Sequence, residues 1–308
     1  IYDILYPLLR NDKTIITDLP YHGNVGDILI WEGELQFLKS INAYPISQTS
    51  NSTFFFPTLD EDITICLHGG GNFGDLYYEA QQFRHKVIER YPNNKIIIFP
   101  QSVWYDDVTL INKDISIFSK HRNLHICARD SSSYSILKNH FEFNNIYLVP
   151  DMAFCITNLN KYSKFNCKDK QRALYIERLD KEQVKNTYFI DEPYDKRDWL
   201  IFEGKSNFNR IFFGLIRRLK NVENEKLRSF LARIIDNIMQ RYIKNTLIRQ
   251  GVKLLEPYKK IYTTRLHAMI LGILLNKKVT AFDNTTKKLT TFYHTWLRSD
   301  HSVKLKNI

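Results

Sequence analysis

No uninterrupted apolar run in the sequence approaches the roughly 20 residues that a membrane-spanning helix needs. No basic-then-apolar segment of the secretory kind opens it either, so a cytoplasmic location is the expectation. Cysteine is scarce: Cys66, Cys127, Cys155 and Cys167 stand far apart, with no CxxC and no Cys/His pairing suited to a tetrahedral metal site. They read as reduced thiols. Tandem repeats of solenoid type are missing, and so is a recognisable nucleic-acid docking motif. No Lys-Ser/Thr follows the glycine-rich stretch near residue 70, which excludes a Walker loop.

What is present is ample material for a core. The 308 residues are 44% hydrophobic and 14% aromatic, enough for burial to offset chain entropy and for two domains of ordinary size. Lys and Arg total 44, and the net charge is +11. That excess favours an anionic partner: nucleic acid, an anionic bilayer surface or a phosphorylated substrate. Much of it falls between Arg210 and Lys260, where Arg217, Arg218, Lys220, Arg228, Arg233, Arg241, Lys244 and Arg249 recur. A run of this kind is also what a solvated helix face looks like.

From Lys13 to Pro150 short apolar runs alternate with longer amphipathic stretches, the pattern of parallel strands joined by crossover helices. Strands are expected at 14–18, 63–67, 95–99, 124–128 and 146–149, and helices starting near Asp27, Tyr77, Asp107 and Ser131. A polar stretch over 156–171 marks the expected domain boundary. Beyond it the pattern predicts strands at 173–176, 261–263 and 278–282, and helices over 208–220, 223–250, 267–275 and 289–297. The expected fold class is α/β in two domains, residues 1–160 and 161–308.

Two segments echo one another. His22-Gly23-Asn24-Val25-Gly26-Asp27 and His68-Gly69-Gly70-Gly71-Asn72-Phe73-Gly74-Asp75 both carry Gly-Asn-x-Gly-Asp just after a predicted strand. Ligands bind beyond the carboxyl ends of strands in open parallel sheets, where such loops lie side by side. Glycines let a ligand approach the backbone and expose amides to an anion at a helix start. A tight turn would use them equally well. Asp27 and Asp75 either cap the following helices or serve an acceptor hydroxyl as general base. His22 and His68 read as structural histidines.

Arg129, at a strand's carboxyl end and followed by Asp130 and serines including Ser133, offers an anion both a guanidinium fork and helix amides. An ion pair with Asp130 or Asp151 is the alternative. In Tyr262-Thr263-Thr264-Arg265-Leu266-His267-Ala268, a strand ends and a small-residue apolar helix begins with Arg265 and His267 at its mouth. Packing calls for neither residue, although the histidine would also serve as a helix cap. Lys287 and Lys288 follow the loop 283–286, as anion ligands or as solvated loop charges.

In order and spacing these segments, with Phe99-Pro100-Gln101-Ser102 and Pro150-Asp151-Met152-Ala153-Phe154, resemble the polysaccharide pyruvyltransferase family over nearly the whole chain. The resemblance implies a glycosyltransferase-B-like fold, two Rossmann-like domains facing across a cleft with residues 1–160 on the acceptor side and 161–308 contributing to the donor site. It also implies pyruvyl transfer from phosphoenolpyruvate to a sugar, with galactose at its 4 and 6 hydroxyls the expected acceptor. It places the family's donor-binding and catalytic roles on Arg129, His267 and Lys287, with Lys288 as the other candidate because the family's usual Tyr-Asp-x-Lys is not kept here.

On this basis His267 is the expected general acid or acid/base, with Arg129, Arg265 and Ser133 at the donor's anionic groups and Lys287 at the departing phosphate. Asn24, Asp27, Gly70, Gly71, Asn72 and Asp75 are expected to face the acceptor. Phosphoenolpyruvate is a co-substrate, and no metal or bound cofactor is called for. The expected partners are that donor and a sugar acceptor, lipid-linked among the candidates, with peripheral contact at an anionic inner leaflet and no nucleic acid. A nucleotide-sugar glycosyltransferase is the enzymatic alternative, and a basic nucleic-acid-binding protein the non-enzymatic one.

Overall fold

The computed structural model describes residues 1–163, 170–177, 188–199, 207–283 and 287–306. Cys167 and positions 284–286 of the loop before Lys287 lie outside the described residues, while Cys66, Cys127 and Cys155 are buried thiols. The order of elements is α1 (Tyr2–Leu9), β1 (Lys13–Thr17), α2 (Val25–Ser40), β2 (Pro45–Gln48), β3 (Ile63–Leu67), β4 (Gly70–Gly74) and α3 (Tyr78–Arg90). Next come β5 (Ile96–Trp104), α4 (Val108–Phe118), β6 (Leu124–Ala128), α5 (Ser131–His140) and β7 (Asn145–Leu148). The second half holds β8 (Ala173–Glu177), β9 (Tyr194–Asp198), α6 (Asn207–Arg218), α7 (Glu225–Ile238), α8 (Lys244–Leu255), β10 (Lys260–Thr263), α9 (Leu266–Leu274), β11 (Lys278–Phe282), α10 (Lys288–Trp296) and β12 (Val303–Lys306).

The strands form two wholly parallel sheets. A seven-stranded sheet runs β2-β1-β3-β5-β6-β7, with β4 pairing the far end of β5, and a five-stranded sheet runs β12-β11-β10-β8-β9. β3 and β6 are buried at every position, because helices cover both faces of a parallel sheet. This explains their continuous apolar runs. The glycine-rich echo differs from expectation: Gly70–Gly74 is a strand alongside Gln101–Trp104 of β5, while α3 begins at Tyr78, close to the expected start near Tyr77. Its amides therefore belong to a strand edge rather than to a helix start.

One apolar core runs through both sheets. α2 is buried nearly all round, from Val25 to Leu38, as a helix packed on several sides must be. It lies against α8, α9 and a 3₁₀ turn at Met152–Cys155. A Cβ on Gly33 of α2 would stand 1.8 Å from the carbonyl oxygen of Met152, so only glycine permits that approach. The contact fixes Asp151, the residue that opens the turn.

Candidate active site

A cavity of about 780 Å³ is bordered by both sheets. The first contributes Asp18, His68 and Arg129 from just beyond β1, β3 and β6. The second contributes Trp199 from beyond β9, and Arg265 and His267 from beyond β10. Carboxyl ends of parallel strands are where loops are released to meet a ligand.

Asp151 joins the two sides. Its Oδ2 accepts from the Arg129 guanidinium at 3.0 Å and from His267 Nε2 at 3.3 Å, while Oδ1 accepts from the Ala153 amide at 3.0 Å. Burial alone would push this carboxyl up, but His267, Arg129 and the Ala153 amide together hold it well below the usual carboxylate range. An ionised Asp151 requires the proton on His267 Nε2, which leaves Nδ1 as the nitrogen available for proton exchange. Nδ1 faces Gly26, where a Cβ would stand 2.4 Å away.

Arg129 is 3% exposed, with Nε donating to Ser102 Oγ at 2.8 Å. Its carbonyl accepts from Trp296 Nε1 at 2.7 Å, and the Ser131 amide donates to Thr295 Oγ1 at 3.1 Å, so α10 is tied to the first sheet. That tie sets Lys288, the first residue of α10, in the cavity wall. A Cβ on Gly71 would lie 2.9 Å from the Arg129 guanidinium and 3.8 Å from Lys288 Nζ, so both cations overlook the glycine strand. Arg265 donates to Asp198 at 3.0 Å, and its amide donates to Thr263 Oγ1 at 2.9 Å.

Of the residues singled out in the sequence, Arg129, Arg265, His267, Asn24, Asp27, Gly70, Gly71 and Asn72 line the cavity. Asn24 caps α2 by accepting from the Gly26 amide and donates to Asp27 at 2.9 Å. Asn72 is held by Arg84. Three others sit elsewhere. Lys287 is exposed, in a left-handed conformation before α10, so Lys288 takes the place in the wall. The Ser133 hydroxyl accepts from the Val103 amide at 2.9 Å and is buried in the sheet–helix contact. Asp75 caps neither its own helix nor the cavity; it accepts from the amides of Asp106 and Asp107 at 2.6 and 2.7 Å.

Sequence reasoning missed a second acid–base pair. His68 Nδ1 bonds Glu34 Oε2 at 2.7 Å, and the Gly69 amide donates to the other oxygen at 2.8 Å. Burial raises the pKa of Glu34; for His68, burial acts to lower the pKa but the Glu34 carboxylate prevails and raises it. His68 lines the cavity, and its buried Nε2 has no hydrogen-bond partner among the described residues. The available signal was two glutamates, Glu32 and Glu34, inside an otherwise apolar helix, since buried carboxylates need partners.

The cavity wall thus combines fixed cations, amide and carboxylate groups, and imidazoles. Residues 24–286 match the family described as polysaccharide pyruvyl transferase. EpsO of Bacillus subtilis, a provisionally named pyruvyl transferase, is 33% identical over 299 residues, covering 96% of this chain and 89% of that one. Pyruvyl transferase 1 of Schizosaccharomyces pombe is 26% identical over 306 residues, covering 92% and 70%. A crystal structure of a functionally uncharacterised protein from Klebsiella pneumoniae shares the fold at a TM-score of 0.65 and 20% identity, covering 100% of this chain and 97% of that one.

Proposed function

Because the chain belongs to the polysaccharide pyruvyl transferase family and is a pyruvyl transferase, we propose that it moves pyruvate from phosphoenolpyruvate onto two hydroxyls of a sugar, galactose O4 and O6, closing a ketal on a surface-polysaccharide precursor. The two sheets correspond on this reading to domains 1–160 and 161–308, facing one another in the glycosyltransferase-B manner. What carries it is that Arg129, Arg265 and Lys288 line the same cavity as His267. A small donor bearing both a carboxylate and a phosphate needs such a set of fixed cations.

His267 acts through Nδ1, protonating the methylene carbon of the donor while Asp151 steadies the imidazolium from Nε2. Charge then develops at C2, and one sugar hydroxyl attacks there. The C–O bond to phosphate breaks, Lys288 and Arg265 neutralise the leaving phosphate, and the second hydroxyl closes the ring. Of the two hydroxyl protons, one equivalent ends on the new methyl group and the other leaves with phosphate. Asp27, Asn72 and the His68–Glu34 pair serve the acceptor side. His68 Nε2 is the group able to take a hydroxyl proton there.

The test is phosphate release from phosphoenolpyruvate in the presence of a panel of galactosides, read beside product mass. A sugar-dependent release with the mass gain of a pyruvate ketal, lost in His267→Ala, is expected. Sugar transfer from a nucleotide donor with no use of phosphoenolpyruvate would overturn it.

A further inference from the structure

Helices α6 and α7 carry apolar side chains on two faces. One face is explained by the core: Phe212, Phe213 and Ile216 of α6, and Ala232 and Ile235 of α7, are buried. The other faces outward. Ile211 is 70% exposed, Phe230 60% and Tyr242 60%, with Phe208 and Leu227 about half exposed. Phe208 and Tyr242 meet edge-on at 6.4 Å, so the stripe of α6 continues into the one that runs along α7 to the π turn at Met239–Ile243. Cations flank it: Arg210, Arg217, Arg218, Lys226, Arg233 and Arg241 are all exposed. Exposed aromatic and aliphatic groups ringed by cations match the interfacial layer of an anionic bilayer, where rings sit at headgroup depth and cations meet lipid phosphates.

We propose that this α6–α7 face docks the protein on an anionic membrane surface. The charge argues against a second copy as occupant, because a two-fold contact would bring this cation-rich patch against itself. None of the described helices is long and apolar enough to cross a membrane; the contact proposed is an interfacial one. The opposite side of α7 and the π turn after it pack on the end of β2 and the segment that follows. Gln240 donates to the carbonyl of Gln48 at 2.9 Å, and Arg228 lies over Phe55 at 5.0 Å. Asn51, between these contacts in sequence, is in the cavity wall. Docking is thereby linked to the cavity wall through this segment; that the cavity then receives a lipid-carried sugar rests on the proposed function, whereas docking itself does not.

Flotation of the full chain with vesicles tests it without any turnover. Binding is expected to phosphatidylglycerol–phosphatidylcholine vesicles and not to phosphatidylcholine alone, and to weaken as salt screens the charges. Ile211→Ser with Phe230→Ser, which leaves the charge unchanged, and Arg210→Glu with Arg233→Glu are each expected to weaken binding by roughly tenfold or more. Unfolding temperatures close to that of the parent show that both variants fold. Absence of binding to the anionic vesicles at low salt overturns the proposal, as does binding that neither variant changes. A concentration-dependent dimer that Ile211→Ser with Phe230→Ser disperses, in a protein that ignores vesicles, would assign the face to a second copy instead.

Discussion

The imidazole of His267 rests over Gly26, with Nδ1 2.4 Å from where a Cβ on that glycine would be. Nε2 is committed to Asp151, and the ring can take this position only because Gly26 carries no side chain. Gly26→Ala is therefore expected to displace or block the ring and lower kcat by about 10²-fold, the scale on which catalytic groups misplaced by an ångström fail. The unfolding temperature should fall, because the new methyl also meets His267 Cγ and Cβ, at 2.8 and 2.9 Å, and overpacking outweighs alanine's helix preference. Steady-state kinetics with a thermal melt checks both. In a His267→Ala background the glycine change should cost nothing further.

Asp151→Asn separates charge from shape. The amide keeps the contour but leaves the buried Arg129 guanidinium without its carboxylate and no longer fixes which nitrogen of His267 carries the proton. Activity is expected to fall by about 10²–10⁴-fold, as for loss of a general acid or its orienting group. Stability should drop by about 3–5 kcal/mol, the cost of leaving a buried charge unpaired. Kinetics below the lowered unfolding temperature keeps the two effects apart.

How far sequence reasoning reached followed from burial. β1, β3 and β6 announced themselves because both faces of a parallel sheet demand apolar residues. β2, β9 and β12 are outer strands of their sheets, where solvent and polar side chains share the surface; Tyr194–Asp198 reads YDKRD and carries no strand signal. β4 hid behind its glycines, which fit a turn as readily as a strand. Arg129, Arg265 and His267 were legible because polar residues at the carboxyl ends of strands have few structural uses. Asp151 was visible only as an ion-pair candidate, for its second partner, His267, is 116 positions away. Ser133 and Asp75 showed the converse, side chains that a motif presents and local backbone amides then claim.

Lys287 and Lys288 are neighbours with different surroundings, one exposed and one in the cavity wall. Lys288→Met is expected to raise KM for phosphoenolpyruvate by about ten- to a hundredfold, the scale of a lost charge-assisted bond to phosphate. Lys287→Met should alter it by less than about twofold, as surface changes remote from a site do. Equal effects, or the reverse order, would return the role to Lys287.

Glu32 fastens α2 to the second half of the chain, accepting from Lys161 at 2.9 Å and from the buried Lys244. Burial alone would raise its pKa, but Lys244 and Lys161 prevail and hold it at about 2. A depressed carboxylate stabilises the fold above its unfolded value and loses that contribution as pH falls through the folded one. The pair should therefore be fully effective above about pH 4.5, the ordinary glutamate value, and weaken progressively towards about pH 2. Glu32→Gln leaves Lys244 buried without a carboxylate and is expected to destabilise by about 3–5 kcal/mol at neutral pH. The gap to the parent should close on acidification, as denaturant melts across that range would show. Glu32→Leu combined with Lys244→Met should recover most of the loss, because an apolar pair of similar volume replaces a buried ion pair at little net cost. Failure of that rescue would mean that the pair holds α2 and α8 in register rather than merely cancelling charge.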